Sequence, residues 1–244
     1  MDQAPATDKR DGFRERGQQV TRVEAFVDAA FAFAVTLLVI SFDGLPKSAH
    51  ELVAAYKGSP AFAASFLLLA TFWRAHERWS RWYGLDDSRS TALSLILVFL
   101  VLVYVYPLRM LFAGFFHFVT QGALPADYVI RFASDLRWMF GSYAVAYGSL
   151  SFVIWLLYRH AYRQRAKLGL DAEEAVLTRL TMLRWQVTLL VSLISLWLSL
   201  LVGTVLNRGW LLAVPGLIYF LMFFMFPLTA WYARQYRAEE SPSR

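Results

Sequence analysis

Three ionisable residues stand at the head of the first apolar stretch of this 244-residue chain. Arg22, Glu24 and Asp28 open RVEAFVDAAFAFAVTLLVISF, residues 22–42. An ionised group in hydrocarbon costs at least about 2.5–3.5 kcal/mol, so an acid kept inside such a run points to a function. Three chemistries are open to it: relaying a proton, liganding a cation, or accepting a hydrogen bond that clamps one helix to another. On a helix, Glu24 and Asp28 lie one turn apart and repel each other, so Asp28 needs a donor from elsewhere in the fold. Asp28 reads as a structural acceptor ahead of an ion ligand. Arg22, at the end of the run, can equally snorkel to the interface.

The donor is expected from the second apolar segment. If the first helix starts at the cytoplasmic face and the second ends there, Trp73 and His76 reach the depth of Arg22 and Asp28. An indole offers only its N–H, whereas an imidazole donates or accepts. A polar knot of Arg22, Asp28, Trp73 and His76 would satisfy groups that lipid cannot. On nearly the opposite side of the first helix from Asp28, residues Phe26, Ala30, Phe33, Leu37 and Ile40 form an apolar stripe with Thr36 on its edge. Most stripes of this kind are helix–helix packing; a pore lining is the alternative.

The elements that position these residues follow from composition. The chain is 58% hydrophobic and 17% aromatic and has no cysteine, which excludes disulfides and thiolate sites and makes an integral membrane protein the expectation. The apolar runs are continuous, which argues against a membrane barrel. Six helical spans are expected, near 22–42, 59–77, 90–112, 137–159, 182–205 and 209–233. Trp79 and Trp82 are expected to extend the short second span at the headgroup level. Alternate loops carry 18 and 6 of the 24 lysines and arginines, a bias that puts both termini in the cytoplasm. The net charge of +6 therefore reports topology and not nucleic-acid binding. The expected organisation is a partly disordered cytoplasmic arm over 1–21, a transmembrane domain over 22–236 and a cytoplasmic tail over 237–244. The architecture is all-α, with no internal repeat and no cleaved signal peptide.

The first segment resembles the six-helix potassium channel family of bacteria, archaea and animal endolysosomes. That family carries Arg-x-x-x-Phe-Ser-Asp at the start of its first helix, matched here by Arg22, Phe26 and Asp28, with FAFAVTLLVI (Phe31 to Ile40) continuing it closely. A tryptophan and a histidine three apart late in the second helix are matched by Trp73 and His76. The detailed resemblance covers about a quarter of the chain. It implies a homotetramer whose first helices line a central pore, selective through hydrophobic constrictions and a threonine layer. By position, Phe33 would be the narrowest ring, Leu37 and Ile40 further apolar rings, and Thr36 the polar layer. Arg22, Phe26, Asp28, Trp73 and His76 would hold the first helix. No TVGYG-like sequence occurs, so a carbonyl filter is not supported.

Two positions depart from the pattern. Val27 stands where the family has serine, and Phe33 where it has isoleucine or leucine. Both bear on conductance and selectivity and neither on the fold. The expected function is a potassium-permeable cation channel in the cell membrane, with a lipid bilayer and further copies of itself as partners and no cofactor beyond the permeant ion. A proton-coupled transporter using Glu24, Asp28 and His76, or a non-conducting scaffold of the same fold, are the alternatives. An enzyme is not expected: no histidine lies at mid-membrane to pair with the span serines.

Overall fold

The computed structural model describes residues 9–40, 47–126 and 130–222. Apart from the arm over 9–21, the connecting turns and isolated bridges, these form helices. Helix α1 is Arg22–Ile40, α2 Ala49–Lys57, α3 Ser59–Tyr83, α4 Ser88–Val119, α5 Ala133–Arg163, α6 Arg165–Leu168 and α7 Ala172–Leu201, followed by a 3-10 turn at Gly209–Ala213, α8 at Val214–Leu217 and a second 3-10 turn at Ile218–Phe220. Among the described residues, α4, α5 and α7 are each long and apolar enough to cross a bilayer. The α2–α3 pair, bent by 41°, passes the same test as a fourth span. The expected 209–233 span lies partly, and the tail over 237–244 wholly, outside the described residues.

The long helices depart from the expected spans, α4 chiefly by running on to Val119 and α7 by starting ten residues before 182, and the starts of both are capped. Asp87 accepts from the Arg89 and Ser90 backbone N–H groups, and the Ser90 hydroxyl accepts from the Asp87 N–H. Asp171 and Glu174 make the same reciprocal pair at the start of α7. Such boxes satisfy donors that a helix start leaves orphaned. Pro107 sits inside α4, which continues through it.

Helices α5 and α7 pack closely along small residues: a Cβ at Gly148 would meet Ser192 Cβ at 3.1 Å, and one at Gly141 would meet Ser199 Oγ at 3.3 Å. Small residues let membrane helices approach, and Ser192 and Ser199 are buried in this seam, while the buried Ser195 donates to the Pro215 carbonyl at 2.7 Å. The core gathers Phe72, Leu97, Val101, Ile154 and Leu157 from α3, α4 and α5. Large apolar side chains line the outside of α4 and α7, among them Phe99, Val103, Leu190, Leu193 and Trp197. A surface so apolar suits lipid or another subunit, not water.

The expectation of a partly disordered amino-terminal arm does not hold for residues 9–21, which are docked. Phe13 is 2% exposed and stacks on Trp82 with ring centroids 4.1 Å apart. Arg16 grips the fully buried Glu174 carboxylate with two nitrogens, at 2.9 and 2.7 Å, and its Nε donates to the Leu168 carbonyl at 2.9 Å. Lys9 bridges Asp171 and Glu173 at 2.8 Å each. The Arg16 and Gly17 backbone N–H groups both donate to the Arg81 carbonyl. At Gly17 a Cβ would meet the Ser80 carbonyl oxygen at 2.5 Å, so only glycine permits this approach. The arm thus half-buries Trp82 against Phe13. Trp79 is likewise buried, its indole donating to the Leu157 carbonyl at 2.9 Å.

Candidate functional site

Helix α1 is apolar enough to be packed on all sides, yet it is covered on one side only. Val27, Phe31, Ala34 and Leu38 are buried against the core, with Val27 fully enclosed. Ala25, Phe26, Ala29, Ala32, Phe33 and Thr36 are exposed. Phe33 is 56% exposed, a large aromatic surface left open among the described residues. The open face is rotated from the stripe read in the sequence. Phe26 and Phe33 lie on it, Ala30 and Leu37 sit at its border packed against the core, and Ala29 and Ala32 join it. The Ile40 side chain lies outside what is described. Thr36 donates its hydroxyl to the Ala32 carbonyl at 3.1 Å, which keeps the side chain close to its own helix.

Asp28 stands at the opposite border of the open face. There the Trp73 indole N–H donates to its Oδ1 at 2.8 Å. Donation to an ionised carboxylate is a strong hydrogen bond, and here it spans α1 and α3. His76, three residues along α3, points about 60° away around the helix. Its Nε2 lies 2.9 Å from the Ser94 hydroxyl of α4, and the imidazole is buried. The expected four-residue knot is thus two bonds sharing α3, one to each neighbouring helix. Arg22 is exposed, with no hydrogen bond or ion pair among the described residues.

Three positions escaped the sequence reading. Arg109 is 5% exposed in α4 and donates to the Leu38 carbonyl near the end of α1. A cation there suits both an unsatisfied carbonyl and the negative end of the helix dipole. His160 is buried with Nε2 2.7 Å from Asp87 Oδ2, and Gln164 donates to the same oxygen at 2.8 Å. Partial burial alone would raise the Asp87 carboxyl; hydrogen bonds from the Ser90 N–H, His160 and Gln164 outweigh it and hold the group well below the ordinary carboxylate range. Glu174 is the third. Only the Asp–x–x–Glu spacing of the α7 cap could have marked it, and that spacing does not reveal the arm as its partner.

The buried seams, the apolar exterior and the first helix, half-covered among the described residues, define an all-helical membrane protein. A model of the family described as endosomal/lysosomal potassium channel TMEM175 matches residues 22–107. A potassium channel of Marivirga tractuosa is 32% identical over 200 residues, covering 78% of this chain and 78% of that protein. A potassium channel of Streptomyces collinus is 32% identical over 95 residues, covering 37% of this chain and 46% of that protein. The crystal structure of a variant of the potassium channel MtTMEM175, in complex with a nanobody–MBP fusion, superposes with a TM-score of 0.77 at 28% identity, covering 94% of this chain and 99% of that one. The chain belongs to the TMEM175 potassium channel family. That is a family of channels and not of enzymes.

Proposed function

We propose that the chain conducts potassium through a pore formed by the first helices of several copies, four in the simplest arrangement, each contributing six spans with both termini in the cytoplasm. The observation that carries this reading is the open face of α1. One helix in the bundle exposes Ala25, Ala29, Ala32, Phe33 and Thr36 while its other side is locked to α3 and α4. Small residues on that face permit close approach of neighbouring copies, and Phe33 would project toward the axis as a hydrophobic constriction. Thr36 would supply the polar layer one turn on, with Leu37 and Ile40 narrowing the path beyond it. A constriction of this kind gates by dewetting and keeps conductance low. Asp28–Trp73 and Arg109–Leu38 would fix the two ends of the pore helix, with Arg22 and Phe26 at its cytoplasmic entrance.

The proton-relay reading is less well supported. His76 bonds Ser94 and Asp28 bonds Trp73, so the two ionisable groups turn toward different helices. The test is reconstitution in planar bilayers with Phe33→Ala. Removing four aromatic rings should raise unitary conductance and weaken discrimination between potassium and sodium. Unchanged conductance and ion preference would show that Phe33 does not line the path. Absence of any flux from the wild-type oligomer, under any voltage, would favour the scaffold reading.

A further inference from the structure

One end of the bundle gathers the finish of α3 and α5 and the start of α4 and α7, where Tyr83 meets Thr178 and His160 meets Asp87, each at 2.7 Å. From Arg159 to Arg184 the chain carries five arginines and a lysine against three acids, Asp171, Glu173 and Glu174. The docked arm brings its own cations to those acids. Lys9 lies 2.8 Å from both Asp171 and Glu173, Arg14 lies 3.8 Å from Asp171, and Arg16 lies 2.7 Å from Glu174. Arg159, Arg163, Arg165, Lys167 and Arg179 are left with no ion pair among the described residues.

Three of these cations lie on aromatic rings instead. The Arg159 guanidinium carbon is 4.9 Å from the centre of the Trp155 ring. Those of Arg165 and Arg179 are 4.8 and 5.1 Å from the centre of one ring, Tyr162, and Arg179 Nε also donates to the Tyr162 hydroxyl. A ring attracts a cation through its quadrupole without neutralising it. A stacked guanidinium also keeps its edge donors for a bidentate anion such as phosphate. Because Arg165 and Arg179 share one ring, an anion arriving there meets two such edges. The surface below them is apolar. Phe152 is exposed and stacks on Trp155 with ring centroids 5.7 Å apart. Residues 152, 155, 159 and 162 fall within about 80° on one side of α5, over a rise of about 15 Å. Along that stripe the surface passes from phenyl through indole to guanidinium. A phospholipid presents acyl chain, interface and phosphate in the same order. A free anion would have no use for the apolar half.

We propose that this stripe binds an anionic phospholipid, its acyl chain along Phe152 and Trp155 and its phosphate on the Arg159, Arg165 and Arg179 guanidiniums. These three arginines belong to α5, α6 and α7, so the bound lipid fastens the turn that joins the two most closely packed helices. The stripe lies on α5 to α7, whereas α1 packs on α3 and α4. The site therefore stands whether or not the chain conducts.

The experiment uses the purified full chain in detergent and measures the unfolding midpoint on titration with dioleoylphosphatidylglycerol, with dioleoylphosphatidylcholine, or with inorganic phosphate, at matched ionic strength. The anionic lipid should raise the wild-type midpoint by several degrees, and the zwitterionic lipid and free phosphate should not. Arg165→Gln and Arg179→Gln should each raise the half-saturating concentration of the anionic lipid by about fivefold. Arg131→Gln removes the same charge at the opposite end of α5 and should leave that concentration unchanged. Tyr162→Leu removes no charge but frees both guanidiniums from their ring, and should weaken the response as well; it serves as the test if an arginine variant fails to fold. Equal shifts from the two lipids, a full response in the Arg165→Gln, Arg179→Gln double variant, or an equal loss in Arg131→Gln would each overturn the proposal. A shift reproduced by inorganic phosphate would overturn it too, by showing a site for a free anion.

Discussion

Trp73 and Asp28 face each other from different helices across 2.8 Å, and their substitution separates a clamp from an ion ligand. Trp73→Phe keeps the ring and removes only the N–H. If the bond seats α1, the variant should lose about 1 kcal/mol of stability and show altered conductance, read by denaturation in detergent and by bilayer recording. Asp28→Asn should behave more mildly, because its amide oxygen still accepts from the indole. If Asp28 instead liganded ions, Asp28→Asn would be the more damaging of the two. Asp87 gives a prediction in pH. Its folded carboxyl titrates below its unfolded value near 3.8, so its contribution is full above that pH and is lost as pH falls toward the folded value. Midpoints measured from pH 6 down to 3 should fall more steeply for wild type than for Asp87→Asn, which lacks the titrating group. Sequence spacing brought Asp28 and Trp73 together because both sit in runs whose helical phase is plain. It could not assign His76 to Ser94, because that depends on where α4 lies against α3.

The helices themselves were legible, since continuous apolar runs of about 20 residues admit few alternatives. Their full lengths were not. Hydropathy marks only the apolar part of a helix, whereas α7 starts at its Asp171 cap, well before residue 182, and α4 runs on past 112 to Val119. The docked arm was invisible for a related reason: residues 9–21 are polar and short on periodicity, and their order comes from long-range partners. Arg16 and Glu174 are 158 residues apart in the chain. Removing the guanidinium strands a fully buried carboxylate, so Arg16→Ala should cost about 3–5 kcal/mol. Pairing it with Glu174→Leu should recover a large part of that loss, because no charge is then left unpaired. A double-mutant cycle by chemical denaturation, with limited proteolysis near residue 16 as a second readout, checks both. Equal destabilisation in the single and the double variant would mean that the arm is held by Phe13 stacking on Trp82 and not by the ion pair.

At the scale of the whole molecule, the face of α1 left open among the described residues is where copies of the chain would meet. Composition and charge bias could indicate a membrane and an orientation, but they carry no information on how copies meet. The stripe through Phe26, Ala30, Phe33 and Leu37 was accordingly misphased: Ala30 and Leu37 are half taken up by the core, and the small residues Ala25, Ala29 and Ala32 complete the exposed side. Because the chain has no cysteine, this side can be mapped one thiol at a time without background. Ala29→Cys and Phe33→Cys should form oxidant-dependent, cross-linked dimers in native membranes. They should also react with small water-soluble thiol reagents wherever the face meets a hydrated path. Val27→Cys and Leu38→Cys, at buried positions on the same helix, should do neither. If α1 faced lipid, all four would resist polar reagents and none would cross-link, and conduction along α1 would have to be abandoned. If Ala29→Cys cross-links while Phe33→Cys is labelled but does not cross-link, the small residues form the contact between copies and the phenylalanine stands in the path. That division of labour is the one the exposed face of α1 favours.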